Sequence, residues 1–212
     1  PDRAFAAGHL DCPYGKTESW FVVDADPDAA VHLGWTEDVD PAELAVRRDE
    51  QDSDWMLSRM HRVPVRPGDG ILVPAGQVHA IGEGVFVVEV QEPTDFSILL
   101  EWSVTTSTRE ESHLDLGFEA VMPAVSTDAL PAAELDALIS TAGTAPAGSA
   151  FRSLLPPAAD PYFRLFDAAG ETGPREAGFA VVLVTEGAGA LVSDAGTVEV
   201  HRGQAYAVPY AF

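Results

Sequence analysis

Gly68-Asp69-Gly70-Ile71-Leu72-Val73-Pro74-Ala75-Gly76-Gln77-Val78-His79 decides how the rest of the chain is read. It spaces its punctuating residues as G-x5-P-x-G-x2-H. Gly68 suits a tight turn into a strand, and Ile71-Leu72-Val73 is a short apolar strand. Pro74 and Gly76 break the ladder and turn the chain. His79 then opens a new strand with an imidazole suited to metal ligation.

Working outward, the same texture recurs. Ser19–Asp24, Ala30–Gly34, Arg62–Val65, Ile71–Pro74, Val85–Gln91 and Phe96–Trp102 are predicted strands, short, β-branched or aromatic, and bounded by turn residues. Asp40 to Met60 reads instead as a helical insertion. Asp40 can cap it, Pro41 suits the first helical position, and Glu43 falls in the first turn. From Val104 to about Pro161 small residues and prolines accumulate. A helical stretch is expected near Ala132–Ser140, and Thr141–Ser149 reads as flexible linker.

Beyond lies a second strand-rich block that repeats the first. VEVHRGQAYAVPYAF (Val198–Phe212) aligns with VPVRPGDGILVPAGQ (Val63–Gln77), setting Gly203-x5-Pro209 against Gly68-x5-Pro74. FAVVLVTEGAGALV (Phe179–Val192) resembles WFVVDADPDAAVHL (Trp20–Leu33). The second block carries no visible metal set.

Composition excludes several classes. The 212 residues hold 34 acidic against 12 basic side chains, a net charge of −22. Such a chain repels nucleic acid and anionic membranes, so neither is expected as a partner. No apolar run approaches the roughly 20 residues of a membrane helix. Cys12 is the only cysteine, which rules out an intramolecular disulfide and a cysteine metal cluster and fits a reducing cytoplasm. Lys16 is the only lysine. The chain opens at Pro1 without an initiator Met and reads as the downstream part of something longer.

Three segments together, GKTESWFVVDADPDA (Gly15–Ala29), RVPVRPGDGILVPAGQVHAIGEG (Arg62–Gly84) and VFVVEVQEPTDFSILLEW (Val85–Trp102), resemble the type I mannose-6-phosphate isomerases. These are zinc-dependent bicupins that interconvert an aldose phosphate and a ketose phosphate. The resemblance implies an all-β fold of two tandem cupin-type, jelly-roll barrels with a helical insertion at 40–60. Residues 1–103 would form the first barrel, 104–161 a linker and helical region, and 162–212 a second, incomplete barrel. The ligand would be a small sugar or sugar phosphate, with zinc or another divalent metal as cofactor; the oligomeric state stays open.

Carried over residue by residue, the resemblance makes Glu18 and His79 metal ligands. Lys16 becomes an active-site lysine and Glu89 an active-site acid. The family's Gln-x-His ligand pair sits before a Pro-Asp, so here it is expected upstream of Pro1-Asp2. Lys16, Glu18 and Trp20 share one face of a strand by their period of two. His9, His32, His61, His113 and His201 lack any such context and read as structural or surface residues.

One departure stands out: Leu99 occupies the position of a family arginine. Arginine can hold phosphate or stabilise an enediolate, and leucine can do neither. Arg109, in the following loop, is the candidate replacement. Three functions therefore compete: a hexose-phosphate isomerase, an isomerase of an unphosphorylated sugar, and a non-catalytic sugar-binding or regulatory bicupin.

Overall fold

The computed structural model describes residues 1–142 and 151–210. Of the flexible stretch expected at 141–149, residues 143–149 lie outside the described residues. Two compact units emerge, Pro1–Ala169 and Gly170–Phe212. The division falls eight residues later than the boundary expected at 161/162.

The first unit opens with helix α1 (Arg3–His9), which the sequence reading did not anticipate; Asp2 caps it by accepting from the Phe5 N–H at 2.8 Å. Strands β1 (Glu18–Ala25) and β2 (Ala30–Trp35) follow. Next come helices α2 (Pro41–Glu50) and α3 (Ser53–Ser58), in the expected insertion. Asp40 caps α2 through the Ala42 N–H, with Pro41 at its start. Strands β3 (Met60–Pro64), β4 (Gly70–Val73), β5 (His79–Ile81) and β6 (Val85–Gln91) return to the sheets. Helices α4 (Phe118–Val121) and α5 (Ala132–Ala137) precede β7 (Ile139–Ser140), β8 (Phe151–Ser153) and β9 (Phe166–Ala168).

Two sheets, ordered β6-β1-β4-β7 and β3-β2-β5, enclose the core. Trp20 and Val22 of β1 meet Ile71 and Val73 of β4, with Val31, Leu33 and Val63 from the other sheet. The opposite face of β4 is also covered, since Leu72 packs with Leu155 and Ala159. Burial on both faces explains why Gly70-Ile71-Leu72-Val73 shows no polar alternation. Two turns fix this strand. Pro67 and Gly68 (φ 97°) fill the centre of a turn closed by Asp69 N–H to Arg66 O at 3.1 Å. After β4, Gln77 N–H donates to Pro74 O at 3.0 Å around Gly76 (φ 88°). Positive φ at the third position is the type II requirement that glycine meets without strain.

One expected strand is corrected. Phe96–Trp102 is not a strand. Gln51, left-handed at the end of α2, supplies partners instead: its amide donates to Leu100 O and accepts from the Trp102 and Ser103 N–H groups. The Leu99 N–H donates to Ser112 O. Within the expected linker and helical region 104–161, α5 (Ala132–Ala137) lies in the helical stretch expected at 132–140, and several side chains are buried. Phe118, Val121, Leu130, Leu135 and Leu154 are buried, and Leu130 N–H donates to Trp35 O at 2.8 Å. Its small-residue composition masks these irregularly spaced apolar anchors.

The second unit holds β10 (Ala180–Leu183), β11 (Ala188–Ser193), β12 (Gly196–His201) and β13 (Ala205–Val208). Its pairings, β10 with β13 and β11 with β12, repeat β1 with β4 and β2 with β3. The repetition extends to single hydrogen bonds. Val22 N–H donates to Asp69 O as Val184 N–H does to Gln204 O. The Asp69 carboxylate accepts from Arg66 N–H as the Gln204 amide oxygen does from His201 N–H, both at 2.8 Å. This register corrects the sequence alignment of β1 with β10 by three residues. Ala180, opposite Val208, holds the place that Glu18, opposite Val73, holds in the first unit.

Gly70 leaves no room for a side chain, because a Cβ there would lie 1.9 Å from Leu154 O. Gly70→Ala should destabilise the chain by about 1–3 kcal/mol through overpacking. Gly8, in α1 with open space around it, should do the reverse. Gly8→Ala should add roughly 0.5–1 kcal/mol from helix propensity. Urea midpoints of the two variants check the opposite signs.

Candidate active site

Three of the four expected site residues converge at the head of β1. Lys16 lies just before the strand, Glu18 begins it, and His79 begins β5 in the facing sheet. Lys16 Nζ donates to Glu18 Oε2 at 2.5 Å, and His79 Nε2 lies 3.1 Å from Glu18 Oε1. The Glu18 side chain is 3% exposed, against 15% for Lys16 and 35% for His79. Glu89 reaches the same face of β6, directly opposite Trp20. Its Oε2 accepts from the Trp20 indole at 3.2 Å, and the Trp20 ring meets His79 edge-on at 5.5 Å. Glu89 thus joins the group through Trp20.

Burial pushes the Glu18 carboxyl up, but His79 and Lys16, each bonded to one of its oxygens, outweigh that and hold it at about 2. His79 Nδ1 lies 2.8 Å from Gln77 O. A carbonyl only accepts, so Nδ1 carries a proton. Nε2 then either donates to Glu18 as imidazolium or offers its lone pair to a cation shared with Glu18. A buried carboxylate and an imidazole oriented by a backbone carbonyl suit a divalent metal. Gln77 Oε1, on the turn that carries His79, is a buried acceptor with no hydrogen-bond partner. Among the described residues no group of three or more His, Cys, Asp or Glu side chains converges, so the pair amounts to two ligands.

The remaining residues fall elsewhere. Arg109 pairs with Asp49 at 3.3 Å and sits over Phe118 at 5.1 Å. His9 stacks on Phe5, His61 bonds Leu130 O, and His113 accepts from Gly117 N–H. Burial, then Arg62, lowers the pKa of His32. Cys12 is a free, half-buried thiol.

Sequence reasoning missed Glu92. It is buried, accepts from Thr17 N–H at 3.0 Å, and pairs with Arg3 at 2.6 Å. Burial raises its pKa, yet the Thr17 N–H and Arg3 bring it below the ordinary value. No local signal separates it from Glu83 or Glu101, because its partner lies 75 residues away.

No protein-family model matches the chain. Curated proteins do. Mannose-6-phosphate isomerase of Streptococcus mutans is 38% identical over 95 residues, spanning 45% of this chain and 28% of the relative. Mannose-6-phosphate isomerase ManA of Bacillus subtilis is 36% identical over 95 residues, or 29% of its length. Over these 95 residues the chain is similar to the mannose-6-phosphate isomerases. The crystal structure of the Bacillus subtilis mannose 6-phosphate isomerase superposes with a TM-score of 0.72 at 22% identity, over 99% of this chain and 64% of that one. The fold is the cupin fold of those isomerases. The chain spans less than two thirds of the length of these relatives. Among its described residues no helix is long and apolar enough to cross a membrane.

The Glu18 pKa sets an acid limit on this site. Its folded value lies below the ordinary 4.5, so its stabilising contribution is complete above pH 4.5 and is lost as pH falls towards about 2. Urea midpoints measured from pH 5 to pH 2 should fall across that window. In Glu18→Gln the fall should be shallower.

Proposed function

We propose that this chain forms part of a metal-dependent aldose–ketose isomerase acting on a hexose phosphate, with mannose 6-phosphate and fructose 6-phosphate as the leading pair. The observation that carries the reading is the convergence of Lys16, Glu18 and His79 on a cupin fold, beside curated relatives of that name.

The reaction removes a proton from the sugar's C2 and returns one to C1, while a hydroxyl proton passes from O2 to O1. Glu18 and His79 would hold zinc or another divalent ion, completed by donors beyond this pair. When bound, the metal supplies Lewis-acid polarisation of the two sugar oxygens. Lys16, anchored on Glu18 and partly open to solvent, directs its ammonium donors at sugar oxygens and stabilises enediolate charge. Glu89, exposed and linked to His79 through the Trp20 indole, is the candidate acid–base group.

A second reading rests on Leu99. It stands where the resemblance implies an arginine, and Arg109 is already engaged with Asp49 and Phe118. An isomerase of an unphosphorylated sugar, or a sugar-binding protein without turnover, needs no cation there.

A coupled assay on the complete zinc-loaded protein, with mannose 6-phosphate and mannose side by side, separates these readings. Turnover of the phosphate is expected, and Lys16→Met should lower it by about 10²–10⁴. Turnover of mannose alone would give Leu99 a role in specificity. Silence on both from metal-loaded protein would leave the binding reading.

A further inference from the structure

The backbone on both sides of Lys16 is held at several points. The Lys16 N–H donates to Pro1 O at 2.9 Å, and Thr94 Oγ1 donates to Gly15 O at 2.6 Å. Thr17 and Glu92 meet twice: Glu92 N–H donates to Thr17 O at 3.0 Å, and Glu92 Oε2 accepts from Thr17 N–H at 3.0 Å. Gly15 packs so closely that a Cβ would lie 2.8 Å from Pro1 O and 2.9 Å from Arg3 N. Glu92 is the hub of this arrangement. Its side chain is 3% exposed, its second oxygen accepts from Arg3 Nε of α1 at 2.6 Å, and it lies one residue past the last β1–β6 pair, Glu18 with Gln91.

We propose that Glu92 is a positioning residue for Lys16: its buried carboxylate fixes the Lys16–Thr17 peptide, and through it the place of the ammonium on Glu18. A strand-end backbone pair alone would leave the Thr17 N–H, which faces Glu92 Oε2, without a protein acceptor. A buried carboxylate supplies a charge-assisted bond instead, roughly twice as strong as a neutral one. Arg3 adds a second charge-assisted bond to that carboxylate and ties α1 to the same peptide. Such supporting contacts decide whether a site residue is held to within the tolerance its chemistry needs. The proposal bears on catalysis only through the role given to Lys16 above, but the position of Lys16 can be read without turnover.

Lys16 is the only lysine in the chain, so lysine-selective ¹³C and ¹⁵N labelling yields a single side-chain signal. Lys16→Arg assigns it by its disappearance. In Glu92→Leu the signal should move towards that of free lysine, and the Thr17 amide should exchange about tenfold faster. Glu92→Gln keeps an acceptor oxygen and should lie between the two. Should Glu92→Leu not fold, the displacement in Glu92→Gln carries the test. Asp69→Ala, which removes a cap at the far end of the β1–β4 pairing, should leave the signal in place. An unmoved signal in the folded Glu92 variants overturns the proposal. So does an equal displacement in Asp69→Ala, which would report general loosening. Neither outcome touches the isomerase reading, and a protein without isomerase activity can still pass this test.

Discussion

Glu18 is a carboxylate buried to 3% exposure at the start of the strand that runs through the middle of the larger sheet. Burial alone pushes its pKa up. It stays ionised because Lys16 meets one oxygen and His79 the other. Removing either partner leaves a buried charge short of compensation, which is costly. The two partners arrive by different routes. Lys16 is two residues away along the strand approach, whereas His79 comes from the facing sheet, opposite Leu33 of β2. The two sheets must therefore pack in one relation for the site to exist. Trp20 reinforces that relation, since it lies in the core, touches His79 and holds Glu89.

The repeated unit separates architecture from chemistry. Both units use the same strand pairs, the same glycine turn and the same side-chain cap before the returning strand. Those features need a glycine at positive φ and an oxygen acceptor one residue later, and Asp69 and Gln204 serve equally well. Chemistry does not survive so loosely. Ala180 stands where Glu18 does and offers no ligand, so among these two matched positions only the first unit carries a carboxylate. A fold tolerates exchange of one acceptor for another, whereas a metal or substrate site fails when a single charged group is replaced by a methyl.

What could be read in advance follows from the range of each interaction. β1 to β6 and the insertion helices were legible because strand alternation, glycine turns and an Asp-Pro cap act within a few residues. Lys16, Glu18 and His79 were singled out through the family resemblance of their segments, and the structure brings the three together. Phe96–Trp102 was misread because its apolar run looks like a strand, while Gln51, some fifty residues earlier in the chain, captures its backbone. In 104–161 the helical stretch was legible but the buried anchors were not, because they are scattered among alanine, proline and serine.

By itself the sequence determined the strand-rich architecture and the internal repeat, because turn chemistry and side-chain period are local properties; its resemblance to a known family singled out the three residues that meet at the head of β1. The tertiary structure alone decided which groups hold those residues. It brought Glu92 to Thr17, tied Arg3 to the same carboxylate, engaged Arg109 with Asp49, and shifted the match between β1 and β10 by three residues. Each of these rests on a contact between distant segments. A buried ion pair or a strand register is settled only when both partners are packed in place.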